Sequence, residues 1–185
     1  MVNSIEQSII KKNLYLLPLM MIFIIIACGC AGPKIAINIA PDLLAPAEKN
    51  KMPLVNNAVT IAVEIDPAIN NNEMIDESVR ESLKMALINA NIFGADPLHY
   101  YRIHANIMEA SQAAFSFGSF EGKLKINYIL FDDTNNKIID ETIYTEAGTD
   151  KWVYLAVTRH QRARAVNISK NVLQFVDILQ SQLKK

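Results

Sequence analysis

The chain has 185 residues, of which 51% are hydrophobic, with 18 basic and 19 acidic side chains. This composition is typical of one folded domain, and it excludes a disordered chain or one that coats nucleic acid. The two cysteines, Cys28 and Cys30, lie beside an apolar run near the N-terminus, and no cysteine follows them. A disulfide framework and a thiolate zinc site are therefore excluded for the body of the protein.

An uncharged apolar run of 14 residues, Leu14–Ala27, follows Lys11 and Lys12. A membrane-spanning helix needs about 20 apolar residues, whereas the core of a signal peptide has roughly 7–15. The run therefore predicts a signal peptide over residues 1–27. The alternative is an uncleaved membrane helix that extends to Ala31, although the glycine and proline residues that follow end the apolar run early.

The end of this run, Ile25-Ile26-Ala27-Cys28, resembles the lipobox of bacterial lipoproteins. In that family a branched apolar residue and a small residue, at positions −3 and −1, precede a cysteine that is lipidated and becomes the new N-terminus. Ile25 and Ala27 match these positions, whereas Ile26 is bulkier than the family prefers at −2. The resemblance implies a covalent lipid on Cys28, with Cys30 as the alternative acceptor, and we expect no other cofactor.

The lipobox resemblance also carries an expectation about location. Two or three acyl chains hold a protein on a bilayer far more firmly than one. In the lipoprotein family an aspartate after the modified cysteine tends to retain the protein at the inner membrane, and Gly29 stands at that position here. The resemblance therefore implies a lipid-anchored protein of the outer membrane that faces the periplasm.

Residues 28–57 predict a lipidated N-terminus followed by an extended tether. Four prolines interrupt this stretch after Cys28, and no period of 2 or 3.6 is sustained. Prolines at such spacing break helices and sheet ladders. The apolar pieces 35–39 and 52–55 are candidates for docking on the domain surface. A single folded domain is expected over residues 58–185.

Within that domain, apolar residues recur at the period of strands in four places and at the period of helices in two. The first strand covers Val59–Ile65, and the next segment predicts a helix, with Asn70, Asn71 and Asn72 as N-cap candidates and Phe93-Gly94 as the stop. Three strands follow, at 101–107, 124–130 and 139–145, with a hairpin loop at 132–137 between the last two. After Gly148 the sequence predicts a helix to the end of the chain, with an apolar stripe from Ala165 to Leu183.

The predicted order is strand, helix, strand, strand, strand, helix. Each helix has one apolar stripe, and the strands have one apolar face. These elements predict an α+β fold: a two-layer sandwich of a four-stranded, mainly antiparallel sheet with both helices on one face.

No sequence signature of catalysis or metal binding is present. His99, His104 and His160 are the only histidines, and no nucleophile elbow, P-loop or dinucleotide fingerprint occurs. We therefore expect neither an enzyme nor a metal site. Asp132–Asn136 lacks the glycine and the closing glutamate of a calcium loop, so a hairpin turn is the better interpretation.

Two clusters are candidates for binding. The basic residues Arg159, Arg162, Arg164 and Lys170 are candidates for contact with an anionic ligand or an acidic partner. The alternative is a solvated helix face whose acidic partners lie within the same chain. The aromatic residues Phe115, Phe117 and Phe120 are candidates for an apolar contact with lipid or a partner, or else they cap the core.

The lipobox, the tether and the order of the elements together resemble the small outer-membrane assembly lipoproteins, which include the lipoprotein of lipopolysaccharide assembly. The same order also suits auxiliary lipoproteins of lipid transport and lipoprotein activators of peptidoglycan synthesis. The resemblance implies a non-catalytic accessory or assembly component of an envelope complex, with an envelope protein as partner and a lipid or lipopolysaccharide as a further candidate. It also implies that Arg159, Arg162 and Arg164 contact lipid A phosphates. Charge reversal of Arg162 and Arg164 is then expected to weaken lipopolysaccharide binding and to leave the folded domain intact. The alternatives are a periplasmic module that holds lipid or glycan between sheet and helices, and an envelope hydrolase.

Overall fold

The computed structural model describes residues 39–71, 73–112, 121–148 and 156–184, without the side chains of Pro97, Gln112 and residues 156–159. The described residues all belong to one compact unit, residues 35–185. A short 3-10 turn, Pro41–Leu43, precedes the main elements. In chain order these are β1 (Val55–Ile65), α1 (Ile75–Ala90), β2 (Phe93–Gln112), β3 (Glu121–Phe131), β4 (Lys137–Gly148) and α2 (Ala156–Leu183).

The strands form one sheet in the order β1-β2-β3-β4, and the order of elements along the chain is the predicted one. The sequence predicts a mainly antiparallel sheet, and the structure corrects this to a mixed sheet. β2, β3 and β4 pair antiparallel, whereas β1 pairs parallel with β2. A parallel pair requires a crossover between its strands, and α1 is that crossover.

The hydrophobic core lies between one face of this sheet and the two helices, as predicted. On β3 the predicted apolar face, Leu124, Ile126, Tyr128 and Leu130, is completely buried. The apolar stripe of α2 meets it, and Val172, Phe175, Val176 and Leu179 are equally inaccessible. Residues of α1 and of the other three strands complete the same cluster, so the fold is an α+β sandwich of two layers.

Both ends of α1 are bounded by residues in the left-handed conformation. The N-cap is Met74, with φ of 51° and no side-chain capping bond, so the prediction of an N-cap at Asn70, Asn71 or Asn72 is wrong. Asn71 lies before the N-cap and accepts a hydrogen bond from the backbone N–H of Ile75 (2.7 Å). Asn91 ends the helix in the left-handed conformation, with φ of 52°. The predicted stop at Phe93-Gly94 is wrong, because β2 already begins at Phe93. Gly94 is needed there for close strand contact, since a Cβ atom would lie 2.3 Å from the Asn56 oxygen.

The segment 39–54 packs on both helices and so belongs to the fold. Leu44 is fully buried, and its carbonyl accepts a hydrogen bond from Asn89 of α1 (3.0 Å). Further along, Gln180 of α2 donates to the Glu48 carbonyl (2.9 Å). The domain thus includes part of the predicted tether, and its first strand begins three residues before position 58.

A buried polar group fastens α2 to the sheet. The Asn171 side chain is inaccessible, accepts a hydrogen bond from the Tyr128 hydroxyl (2.9 Å) and donates to the Ile143 carbonyl (3.2 Å) and Thr145 Oγ1 (3.1 Å). The Tyr128 ring also stacks on Phe175, with centroids 4.2 Å apart. Burial raises the pKa of the Tyr128 hydroxyl, which therefore stays protonated and remains the donor.

Replacing Asn171 with alanine is expected to lower the free energy of unfolding by about 2–4 kcal/mol, because it leaves the Tyr128 hydroxyl and buried strand groups without partners. Urea denaturation followed by circular dichroism measures the change. The matched control is Gln174→Ala, an exposed residue of the same helix, which should change stability by less than about 0.5 kcal/mol. Equal effects of the two substitutions would contradict the role of Asn171.

Candidate functional site

An apolar groove lies between α1 and the part of the sheet formed by β1 and the first half of β2; we call it the edge groove. It has a volume of about 570 Å³. Its lining consists of residues from α1, β1 and the start of β2: Ala58, Val59, Ile61, Arg80, Glu81, Lys84, Leu87, Ile88, Phe93, Gly94, Ala95 and Tyr100.

The edge groove arises from two local features. On α1 the buried stripe includes Leu83 and Leu87, whereas Ile88 points away from it and is 66% exposed. On β2 the ladder to β1 is interrupted: Asn57 pairs with Asp96, but the next residue of β1 pairs with Tyr100. The additional β2 residues form a bulge, and this irregular pairing borders the groove at the start of β2.

The charges on the groove wall are paired along α1. Arg80 forms an ion pair with Glu77, and Lys84 lies 4.0 Å from Glu81. Pairs three residues apart on an exposed helix contribute only a few tenths of a kcal/mol. Glu81 and Lys84 can therefore exchange partners at little cost.

The predicted basic cluster lies on α2, but Arg162, Arg164 and Lys170 each have a different partner. Arg162 donates a hydrogen bond to Asp42 (3.0 Å), and this bond lowers the pKa of the Asp42 carboxyl. Lys170 donates to the Glu146 carbonyl (3.1 Å) from an exposed position. Arg159 belongs to α2, and its side chain lies outside the described residues.

Arg164, in contrast, points into the protein and is only 6% exposed. Its Nη2 donates to Glu73 (3.4 Å), and the other oxygen of Glu73 lies 3.4 Å from Nδ1 of His160. Burial lowers the pKa of the Arg164 guanidinium, and the carboxylate of Glu73 opposes this effect. The expectation that charge reversal at Arg164 leaves the fold intact conflicts with this burial.

The remaining candidate residues divide into two groups. Cys28, Cys30 and the aromatic candidates Phe115, Phe117 and Phe120 lie outside the described residues. The predicted hairpin loop is confirmed as a turn: Asp132 accepts hydrogen bonds from the backbone N–H groups of Thr134 (3.0 Å) and Asn136 (2.7 Å).

Within residues 39–71, 73–112, 121–148 and 156–184, no group of three or more His, Cys, Asp or Glu side chains is arranged to hold a metal ion. Neither α1 nor α2 combines the length and the apolar character that a helix needs to cross a membrane.

Comparisons with known proteins give only distant likenesses. No protein-family model and no curated protein sequence matches the chain. The chain is similar to a proposed lipoprotein from Caulobacter crescentus CB15, with 15% identity over 66% of this chain and 90% of that one (TM-score 0.44). A minor lipoprotein from Acinetobacter baumannii gives 14% identity over 69% and 95% (TM-score 0.45). A Helicobacter pylori protein, proposed as a homologue of a neuraminyllactose-binding haemagglutinin, gives 12% over 75% and 94% (TM-score 0.40). Such scores establish neither a family nor an activity.

The burial of Arg164 leads to a direct test. Arg164→Glu places a second carboxylate beside Glu73 in a buried site, so we expect it to lower the free energy of unfolding by at least about 3 kcal/mol. Arg162→Glu is the matched control, because Arg162 and Asp42 are both exposed and screened by solvent. Its urea midpoint should stay close to that of the unmodified protein. Equal midpoints for the two variants would contradict the inward position of Arg164.

Proposed function

We propose that the protein is a lipid-anchored component of the bacterial envelope that binds and positions a partner without catalysis. The sequence Ile25-Ile26-Ala27-Cys28 is the observation that carries this proposal, because it places a lipidation motif directly after a signal-peptide core. The lipid on Cys28 holds the chain on the outer membrane, where Gly29 gives no retention signal for the inner membrane. The domain then faces the periplasm, as an accessory of a complex that transports or assembles lipid or lipopolysaccharide.

The surface of the domain favours binding over catalysis. The edge groove has an apolar floor, and no serine, cysteine or histidine is among the residues that line it. A hydrolase needs a nucleophile, a base and an orienting group within hydrogen-bond reach of one another. An apolar groove of this kind is instead suited to a polypeptide partner.

The interior of the domain supports a surface-binding role over the rival role of a lipid or glycan carrier. A carrier of the predicted kind needs room between the sheet and the helices. Ile126, Tyr128 and Phe175 fill that space in the described structure, and none of them is accessible. The rings of Tyr128 and Phe175 stack between β3 and α2 with their centroids 4.2 Å apart.

Lipidation at Cys28 is tested by substitution. Cys28→Ser should abolish incorporation of labelled palmitate, because the thiol that accepts the lipid is gone, and the precursor should keep its signal peptide. Mass spectrometry of the intact protein measures both effects. Cys30→Ser is the matched control and should be labelled normally. Loss of label in the control alone would identify Cys30 as the acceptor in place of Cys28, and an intact Met1 on the wild-type chain would overturn the anchor.

Partner binding is tested by crosslinking the full-length protein in intact envelopes. We expect one envelope protein to be recovered in a constant ratio to this chain, in quantities unaffected by removal of loosely bound lipid. The unlipidated Cys28→Ser protein is the control, because it lacks the anchor that concentrates the domain at the membrane. Recovery of lipid without protein would favour the carrier role instead, and recovery of neither would contradict both.

A further inference from the structure

Arg164 of α2 is buried with only part of its hydrogen-bonding capacity used. It exposes 7% of its side chain, and its Nη2 donates to Oε2 of Glu73 at 3.4 Å. Charge-assisted bonds of this kind are usually about 2.7–2.9 Å long and often bidentate. Its Nε and Nη1 have no hydrogen-bond partner among the residues that the structure describes. Glu73 therefore balances the charge of Arg164 but leaves most of its donors unpaired.

Asn167 adds an unpaired acceptor on the same side of α2. It is three residues from Arg164, so the two side chains are neighbours on the helix surface. Asn167 is buried, and its amide donates to the Gly122 carbonyl (2.7 Å). Its Oδ1, by contrast, accepts no hydrogen bond within the described ranges. Few buried polar atoms in a native protein lack a partner, so unpaired donors and an unpaired acceptor on neighbouring side chains indicate a ligand with both kinds of group.

Glu73 is the movable part of this cluster. It precedes α1, and 37% of its side chain is exposed. Its two oxygens are divided between Arg164 and Nδ1 of His160, each at 3.4 Å. A carboxylate that is held by two long contacts and already reaches solvent can rotate outward at little cost. Its departure opens Arg164 to an anion from solution.

We propose that a phosphate group which retains a hydroxyl, as in hydrogen phosphate or a phosphomonoester, takes the place of the Glu73 carboxylate. Nε and Nη2 lie on one edge of the guanidinium plane, so two phosphate oxygens can accept from both. A carboxylate offers only acceptors, whereas the phosphate hydroxyl can also donate to Oδ1 of Asn167. The combination of donors and an acceptor therefore selects phosphate. We call Arg164, Asn167 and Glu73 the phosphate site.

Calorimetric titration of the full-length protein in a phosphate-free detergent tests the phosphate site. Inorganic phosphate is the probe, and chloride holds the ionic strength constant. We expect one phosphate to bind per chain. Sulfate has no hydroxyl at neutral pH and leaves Asn167 without a donor, so it should bind at least about tenfold more weakly.

Substitution of Glu73 tests whether its carboxylate competes with the ligand. Glu73→Ala should tighten phosphate binding about tenfold, because the competing anion is gone. It also leaves Arg164 unpaired, so the urea midpoint should fall in chloride and recover as phosphate is added. Glu77→Ala is the matched control, because Glu77 is an exposed acid that pairs with Arg80. It should leave the affinity for phosphate unchanged.

Substitution of Arg164 tests the bidentate contact. Arg164→Lys retains the charge but loses the planar fork, so phosphate binding should weaken at least about tenfold. Arg162→Lys is the control, because Arg162 is exposed and pairs with Asp42. Near-ultraviolet circular dichroism checks the fold of each variant. Glu73→Ala keeps the proposal testable if Arg164→Lys does not fold.

The possible results separate the sources of the phosphate and include clear failures. Tighter binding of a soluble short-chain phosphatidic acid than of inorganic phosphate would assign the site to a lipid headgroup, and equal affinity would assign it to free phosphate. No saturable binding to the wild type or Glu73→Ala, equal affinity for sulfate, or equal losses in Arg162→Lys and Arg164→Lys would each overturn the proposal. None of these measurements depends on the lipid anchor or on a protein partner, so a failure of the proposed function is distinguishable from a failure here.

Discussion

The parallel pairing of β1 with β2 determines which surfaces the protein exposes. A chain that leaves one strand and enters a parallel neighbour must return along the sheet, and α1 makes this return over β1. In the part of the chain that the structure describes, β1 is also the end strand of the sheet, and α1 packs on one of its faces. The edge groove lies where α1 meets β1 and the irregular start of β2. An antiparallel β1–β2 pair would need no such crossover.

The second helix is fixed in a different way, through buried polar groups on the face that meets β3 and β4. Asn167 donates to the Gly122 carbonyl (2.7 Å), and Asn171 one turn later binds groups of both strands. Apolar contacts alone would tolerate a shift of α2 along the sheet, since one aliphatic side chain replaces another at small cost. A shift would leave these amides unpaired in a dry environment, which costs more. The asparagines therefore specify the position of α2 as well as holding it.

The sequence predicts the faces of the elements better than their directions or their partners. Periods of 2 and 3.6 identify the buried residues because one side of each element meets the core. The direction of β1 relative to β2 depends on how the chain crosses the sheet, which no local pattern contains.

The different surroundings of the two arginines were predictable in part. Arg162 and Arg164 are two residues apart, and on a helix this spacing directs their side chains about 200° from each other. One therefore meets solvent while the other meets Glu73. The exposure of Ile88 was predictable in the same way, because this apolar residue lies outside the buried stripe of α1.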